Sequence, residues 1–166
     1  MNANFEKAVN FVRNIERSET YEENPNDPGG GTKFGISQRS YPKLDIKNLT
    51  WDEAKAIYKT DFWQACRCDE LPDGFDIVVM DAAFNQGTGP ARRMLQTSLG
   101  VIADGIIGDN TIAALHKAGK HELKLLITHR CDLYRKSKNI DIFAIDWYFR
   151  IVSLCEFIFG TQPGMV

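Results

Sequence analysis

The stretch Ser18-Glu-Thr-Tyr-Glu-Glu-Asn-Pro-Asn-Asp-Pro-Gly-Gly-Gly31 constrains this chain more than any other segment. Two prolines and three glycines forbid a helix or a central strand there. The segment directly follows Phe5, Ala8, Val9, Val12 and Ile15, whose helical spacing predicts an amphipathic helix over residues 3 to 17. A long irregular segment leaving a helix end inside a small domain is a place for function rather than for packing. Lys33-Phe-Gly-Ile-Ser37 then leads out of it as a short strand or turn.

The rest of the chain reads as helices. Thr50-Trp-Asp-Glu53 has the form of a capping box ahead of Ala54, Ile57 and Tyr58. Residues 74 to 84 are nearly all apolar and have the length of a buried strand. Asp76 and Asp81 favour a helix there, because both would be costly on a strand buried on two faces. Asn85-Gln-Gly-Thr-Gly-Pro90 breaks that helix, and others are expected over 91 to 99, from Asp109, and over 122 to 138. The class is mainly α with little or no sheet. With 166 residues, 43% of them apolar, the chain is long enough for one compact core.

Several function classes fall away. Twenty basic against 22 acidic residues give a net charge of -2, which argues against a nucleic-acid binder working by bulk electrostatics. Cys66 and Cys68, with isolated Cys131 and Cys155 and three distant histidines, fit no zinc spacing, so no metal site is expected. Four thiols without a disulfide framework suit folding in a reducing cytoplasm. Residues 1 to 15 contain no apolar run of signal-peptide length. Lys33 follows three glycines without the phosphate-loop pattern. Arg92 and Arg93 suit either a solvated surface or an anionic glycan. The most apolar segment, Ile140 to Gly160, is interrupted by Asp141, Asp146, Arg150 and Glu156, which excludes an ordinary transmembrane helix. Asp146, Arg150, Ser153 and Glu156 form one polar stripe on it. Such a helix is either buried on most sides or pairs with a second copy in a homodimer.

Projected at about 100° per residue, Glu16 falls within roughly 20° of Phe5 and Val9, so a carboxylate lies on the apolar face near the helix C-terminus. Left unpaired there, it would be hard to ionise, the condition a general acid in glycoside hydrolysis requires. Paired with an arginine, it would be a structural ion pair. Asp27 and Thr32 on the following loop supply a carboxylate and a hydroxyl able to hold a water opposite that acid. The glycines at 29 to 31 allow the backbone to approach a sugar ring closely.

These motifs resemble a known family. Glu16, Tyr21, Asn26-Asp-Pro-Gly-Gly30 and Thr32-Lys-Phe-Gly-Ile-Ser37 are similar to the N-terminal signature of the secretion-activator N-acetylmuramidases, lysozyme-like enzymes of glycoside hydrolase family 108. Asp81-Ala-Ala-Phe-Asn85 with Gly87 resembles a later family segment. Leu95-Gln96, Leu99-Gly-Val101 and Asp104-Gly-Ile-Ile-Gly108 with Thr111 resemble its peptidoglycan-binding half. The resemblance implies a muramidase region over 1 to 90 and a helical peptidoglycan-binding region over 91 to 166, packed into one unit. It further implies cleavage of the β-1,4 bond after N-acetylmuramic acid without a metal or organic cofactor. Glu16, Asp27 and Thr32 would be catalytic, and Tyr21, Gly30, Phe34, Asp81 and Asn85 would contact substrate.

One departure stands out. The family's Glu-Gly-Gly-Tyr becomes Glu16-Arg-Ser-Glu-Thr-Tyr21, two residues longer. Glu19, also toward the apolar face, is therefore the runner-up acid. The altered spacing leaves a second class open, a wall-binding or export-assisting protein without turnover. The implied partner is the peptidoglycan glycan strand. A chain made in the cytoplasm without a leader would reach the envelope through a holin-like pore or a similar route.

Overall fold

The apolar face read over residues 5 to 15 becomes α1 (Ala3–Glu16), which buries Phe5, Ala8, Val9, Phe11 and Val12. The computed structural model describes residues 3–17, 19–23 and 30–160. Arg17 ends α1 with φ at 51°, a left-handed stop that is usually left to glycine. Glu22 and Thr32 then exchange backbone hydrogen bonds of 2.9 and 2.8 Å. Thr32 opens a hairpin in which β1 (Thr32–Lys33) pairs antiparallel with β2 (Ile36–Ser37). Phe34 and Gly35 form its two-residue turn, both at positive φ (52° and 68°), as a type I′ turn requires.

Thr50 and Glu53 close the expected capping box at the start of α2 (Trp51–Ile57). The helix widens directly into a π-helical segment, Tyr58–Gln64, which buries Tyr58 and Trp63. The apolar run in the middle of the chain is a helix, α3 (Phe75–Gln86), in which every residue from Phe75 to Ala83 is buried. A helix that is apolar all round must be covered all round. Here α1, the π-helical segment, α4 (Thr88–Ser98) and α6 (Lys120–Arg135) surround it, with the short α5 (Asp109–Leu115) lying between the last two in sequence. Asp76 caps the start of α3 by accepting the Gly74 and Ile77 amides at 2.9 and 2.8 Å, and it also takes the Asn4 amide at 2.9 Å. The architecture is mainly α, and its sheet among the described residues is one hairpin.

The last helix departs from expectation. In α7 (Ile140–Phe159) only Arg150, Ile151 and Leu154 are buried. Ile142, Ile145, Phe149 and Val152 face outward, so the helix is not covered on most sides. The polar stripe divides as well: Arg150 points inward, whereas Asp146 and Glu156 are exposed. The rotation has a physical cause. A guanidinium is tolerated in the interior only against carboxylates, and turning Arg150 toward Asp81 and Glu16 swings the opposite, apolar side outward. Stacking of Trp147 on Tyr134 of α6, with ring centres 4.8 Å apart, fixes the same rotation. No described helix is long and apolar enough to cross a membrane.

Candidate active site

Glu16, the last residue of α1, is half-buried, and its Oε1 accepts Arg150 Nη1 at 2.5 Å. The carboxylate is therefore not the unpaired group that the helix projection left open. It is one end of a buried charge network. Arg150 turns its other edge to Asp81, donating from Nη2 at 2.7 Å and from Nε at 3.0 Å to Oδ1. Arg130 donates to Asp81 Oδ2 at 2.6 Å. Burial alone would raise the Asp81 carboxyl, but the two guanidinium groups more than offset this and hold it below the usual carboxylate range. Burial disfavours the charge on Arg150, and Asp81 and Glu16 reverse that and fix it as a cation.

The hairpin turn brings the backbone up to this network. A β-carbon added at Gly35 would stand 2.6 Å from Phe84 Cζ and 3.2 Å from Glu16 Cγ. Gly35 is thus the residue that lets loop, α1 and α3 meet. The Tyr58 hydroxyl donates to the Phe34 carbonyl and pins the turn from below. Burial, with Glu16 nearby, pushes that phenol well above its ordinary range, so it remains a donor.

Two hollows flank the meeting point. One, of about 460 Å³, is lined by Glu16, Arg17, Asn85, Asp146, Trp147 and Arg150 among others. The other, of about 450 Å³, lies beyond Gly35 and Phe84 and is lined by Ser37, Tyr41, Asp61 and Thr88. Glu16 sits at the edge of the first, beside the glycine that borders the second. Among the described residues its Oε2 has no hydrogen-bond partner.

The site residues read from the sequence divide among several places. Asp27 lies outside the described residues. Thr32 is half-exposed at the base of the hairpin whose tip touches Glu16. Asn85 lines the first hollow and accepts the Tyr134 hydroxyl. Glu19 is exposed and paired with Arg13 at 2.7 Å, and with Arg17 and Thr20 it lines a depression separate from the Glu16 hollow. Three more are held by their packing. Asp81 is only 1% exposed and lies beneath Glu16, bonded to the same Arg150. Phe34 is buried against Trp51, 5.4 Å between ring centres, because the turn folds its side chain inward. Tyr21 packs on Gly31, where an added β-carbon would lie 2.1 Å from its hydroxyl, so its ring shapes the loop. Gly30 is exposed at φ 70°.

Sequence reasoning missed Arg150, Arg130 and Tyr134. The signal was available for the first. Asp81 lies on a helix apolar on every side, so it demanded a buried cation. Arg150 is the one basic residue between Ile140 and Gly160.

A larger hollow, of about 880 Å³, lies in the later half of the chain. Gln96 organises it, donating to Asp104 Oδ1 at 2.7 Å and to the Ile106 carbonyl at 3.0 Å while accepting the Gly105 amide at 2.7 Å. Ile102 and Ile106 stand exposed at its rim.

Residues 10–87 match the family model described as Glycosyl hydrolase 108. The chain is also similar to a solved structure, SagA of Brucella abortus, at 27% identity and a TM-score of 0.86, with all of each chain covered. No curated protein sequence matches.

Proposed function

From the glycosyl hydrolase 108 match over residues 10–87, we propose that this protein is an N-acetylmuramidase. It cleaves the β-1,4 bond between N-acetylmuramic acid and N-acetylglucosamine in peptidoglycan. The observation that carries this reading is the placement of Glu16, oriented by Arg150 at the junction of two hollows. In its protonated form Glu16 keeps Oε1 on the arginine and carries the proton on Oε2. That proton goes to the glycosidic oxygen as the bond to the muramic C1 breaks. Asp27 takes a proton from the water that completes the hydrolysis, and Thr32 aligns that water. Asn85 is placed to contact an N-acetyl group. The hollow around Gln96 holds a further stretch of the wall polymer, so residues 91 to 166 act as the binding half of the same unit. Peptidoglycan lies outside the inner membrane. The protein therefore acts in the envelope, with a holin-like pore as the release route.

One observation favours the alternative reading, a wall-binding or export-assisting protein without turnover: Glu16 already has a charged partner. Incubation with purified peptidoglycan separates the two. The muramidase reading expects loss of turbidity together with new reducing ends at N-acetylmuramic acid. Binding without new reducing ends rejects it.

A further inference from the structure

Among the described residues the outward side of α7 is a helix surface with no partner. Ile142, Ile145, Phe149 and Val152 are 72, 84, 57 and 65% exposed. Their spacing of three, four and three residues is the heptad seam of a two-helix pair, narrower than the stripe a helix needs to lie on a globular core. With flanking Tyr148, 44% exposed, they present roughly 600 Å² of apolar side-chain surface, more than isolated surface residues explain. Two such faces together cover on the order of 1,200 Å², the lower bound of standard protein interfaces.

We propose that α7 pairs antiparallel with α7 of a second copy of this chain. Charge decides the direction. Asp141, Asp146 and Glu156 all lie on α7. A parallel pair would stack Glu156, the next residue of the seam, against its own counterpart, whereas an antiparallel pair keeps the two apart. In the antiparallel register centred on Trp147, Ile142 meets Val152 and Ile145 meets Phe149 of the other copy. Beyond the seam, Glu156 of one copy comes level with the turn before α7 that carries Lys138 of the other, and both residues are exposed. Apolar seam and charge thus agree on one register. Phe149 and Asp146 also line the Glu16 hollow, so the second copy borders the groove.

The test is the oligomeric state of the full chain, measured by sedimentation velocity and light scattering over a wide concentration range. The expected result is a concentration-dependent dimer. Ile145→Glu, on an exposed residue away from the hollows, should raise the dissociation constant at least about tenfold with an unchanged thermal melt. Lys138→Glu should weaken the pair, and Lys138→Glu with Glu156→Lys should restore it. A monomer at every concentration overturns the proposal, and so does a dimer indifferent to Ile145→Glu. Failure of the charge exchange to restore pairing overturns the register. A monomer that sediments with phospholipid vesicles, and loses this on Ile145→Glu, overturns it in favour of a lipid surface.

Discussion

Arg150 holds Glu16 from 134 positions away in the chain, and the same guanidinium grips Asp81 through its other edge. This double engagement uses the planar fork of arginine. A lysine ammonium is a point charge and cannot reproduce it. Arg150→Lys is therefore expected to retain the positive charge while letting the Glu16 carboxyl drift. Peptidoglycan clearing should fall about 10²-fold, the scale of a catalytic group displaced by an ångström. Near-normal clearing by a folded Arg150→Lys protein would contradict the positioning role.

Glu16→Gln should reduce clearing at least about 10²-fold, because the amide has no proton to give. A stability gain would follow if Glu16 were unpaired. Loss of the Arg150 contact reverses that expectation to a fall of about 1 kcal/mol. Glu19→Gln removes only an exposed pair with Arg13 and should leave both melt and activity close to the parent. Thermal melts and turbidity assays on the same samples measure all of this. A dead Glu19→Gln beside an active Glu16→Gln would move the acid to the runner-up.

Stability should depend on acid through Asp81. Its carboxyl is depressed in the folded state, since two arginines outweigh its burial. The stabilisation is therefore fully present above the unfolded value of about 4 and is lost as pH falls through the depressed folded value. Asp81→Asn should cost about 3–5 kcal/mol near neutral pH, because it leaves two buried guanidinium groups short of a counter-charge. It should also flatten the acid limb of a melting-temperature profile. An unchanged acid limb would show that other groups govern it.

Gly35→Ala faces two penalties, the positive φ and the 2.6 Å approach to Phe84. A loss of about 1–3 kcal/mol is expected, together with reduced clearing as Glu16 is displaced. Gly30→Ala has a similar φ of 70° but among the described residues meets nothing closer than 3.5 Å. It should cost only the backbone term, about 1 kcal/mol. Equal effects from the two variants would show that the Phe84 contact is unimportant.

The elements were largely legible in sequence because each carries a local signal. The Thr50-to-Glu53 box, the spacing from Phe5 to Ile15 and the break after Asn85 depend only on neighbours within a turn or two. Glu16 was legible for the same reason, since a carboxylate on an apolar face shows in a helix projection. Its partner was not. The contact with Arg150 joins opposite ends of the chain, and no local periodicity encodes it. The inward turn of Phe34 was hidden differently: a bulky residue at positive φ is rare, and Tyr58 holds it there from another helix. Asp81 was legible as an oddity but its direction was not, because composition shows that a charge is out of place and not which way it points.

The arrangement of Asp81 between Arg130 and Arg150 also sets an order of events during synthesis. The segment that carries Glu16 and Asp81 leaves the ribosome long before either arginine. Until α6 and α7 follow, the acid has no clamp and Asp81 has no counter-charge, so the groove cannot take its final form. A chain arrested before residue 150 would be an incomplete tool, however well its first helices had formed. The charge network therefore closes only when the last helix arrives.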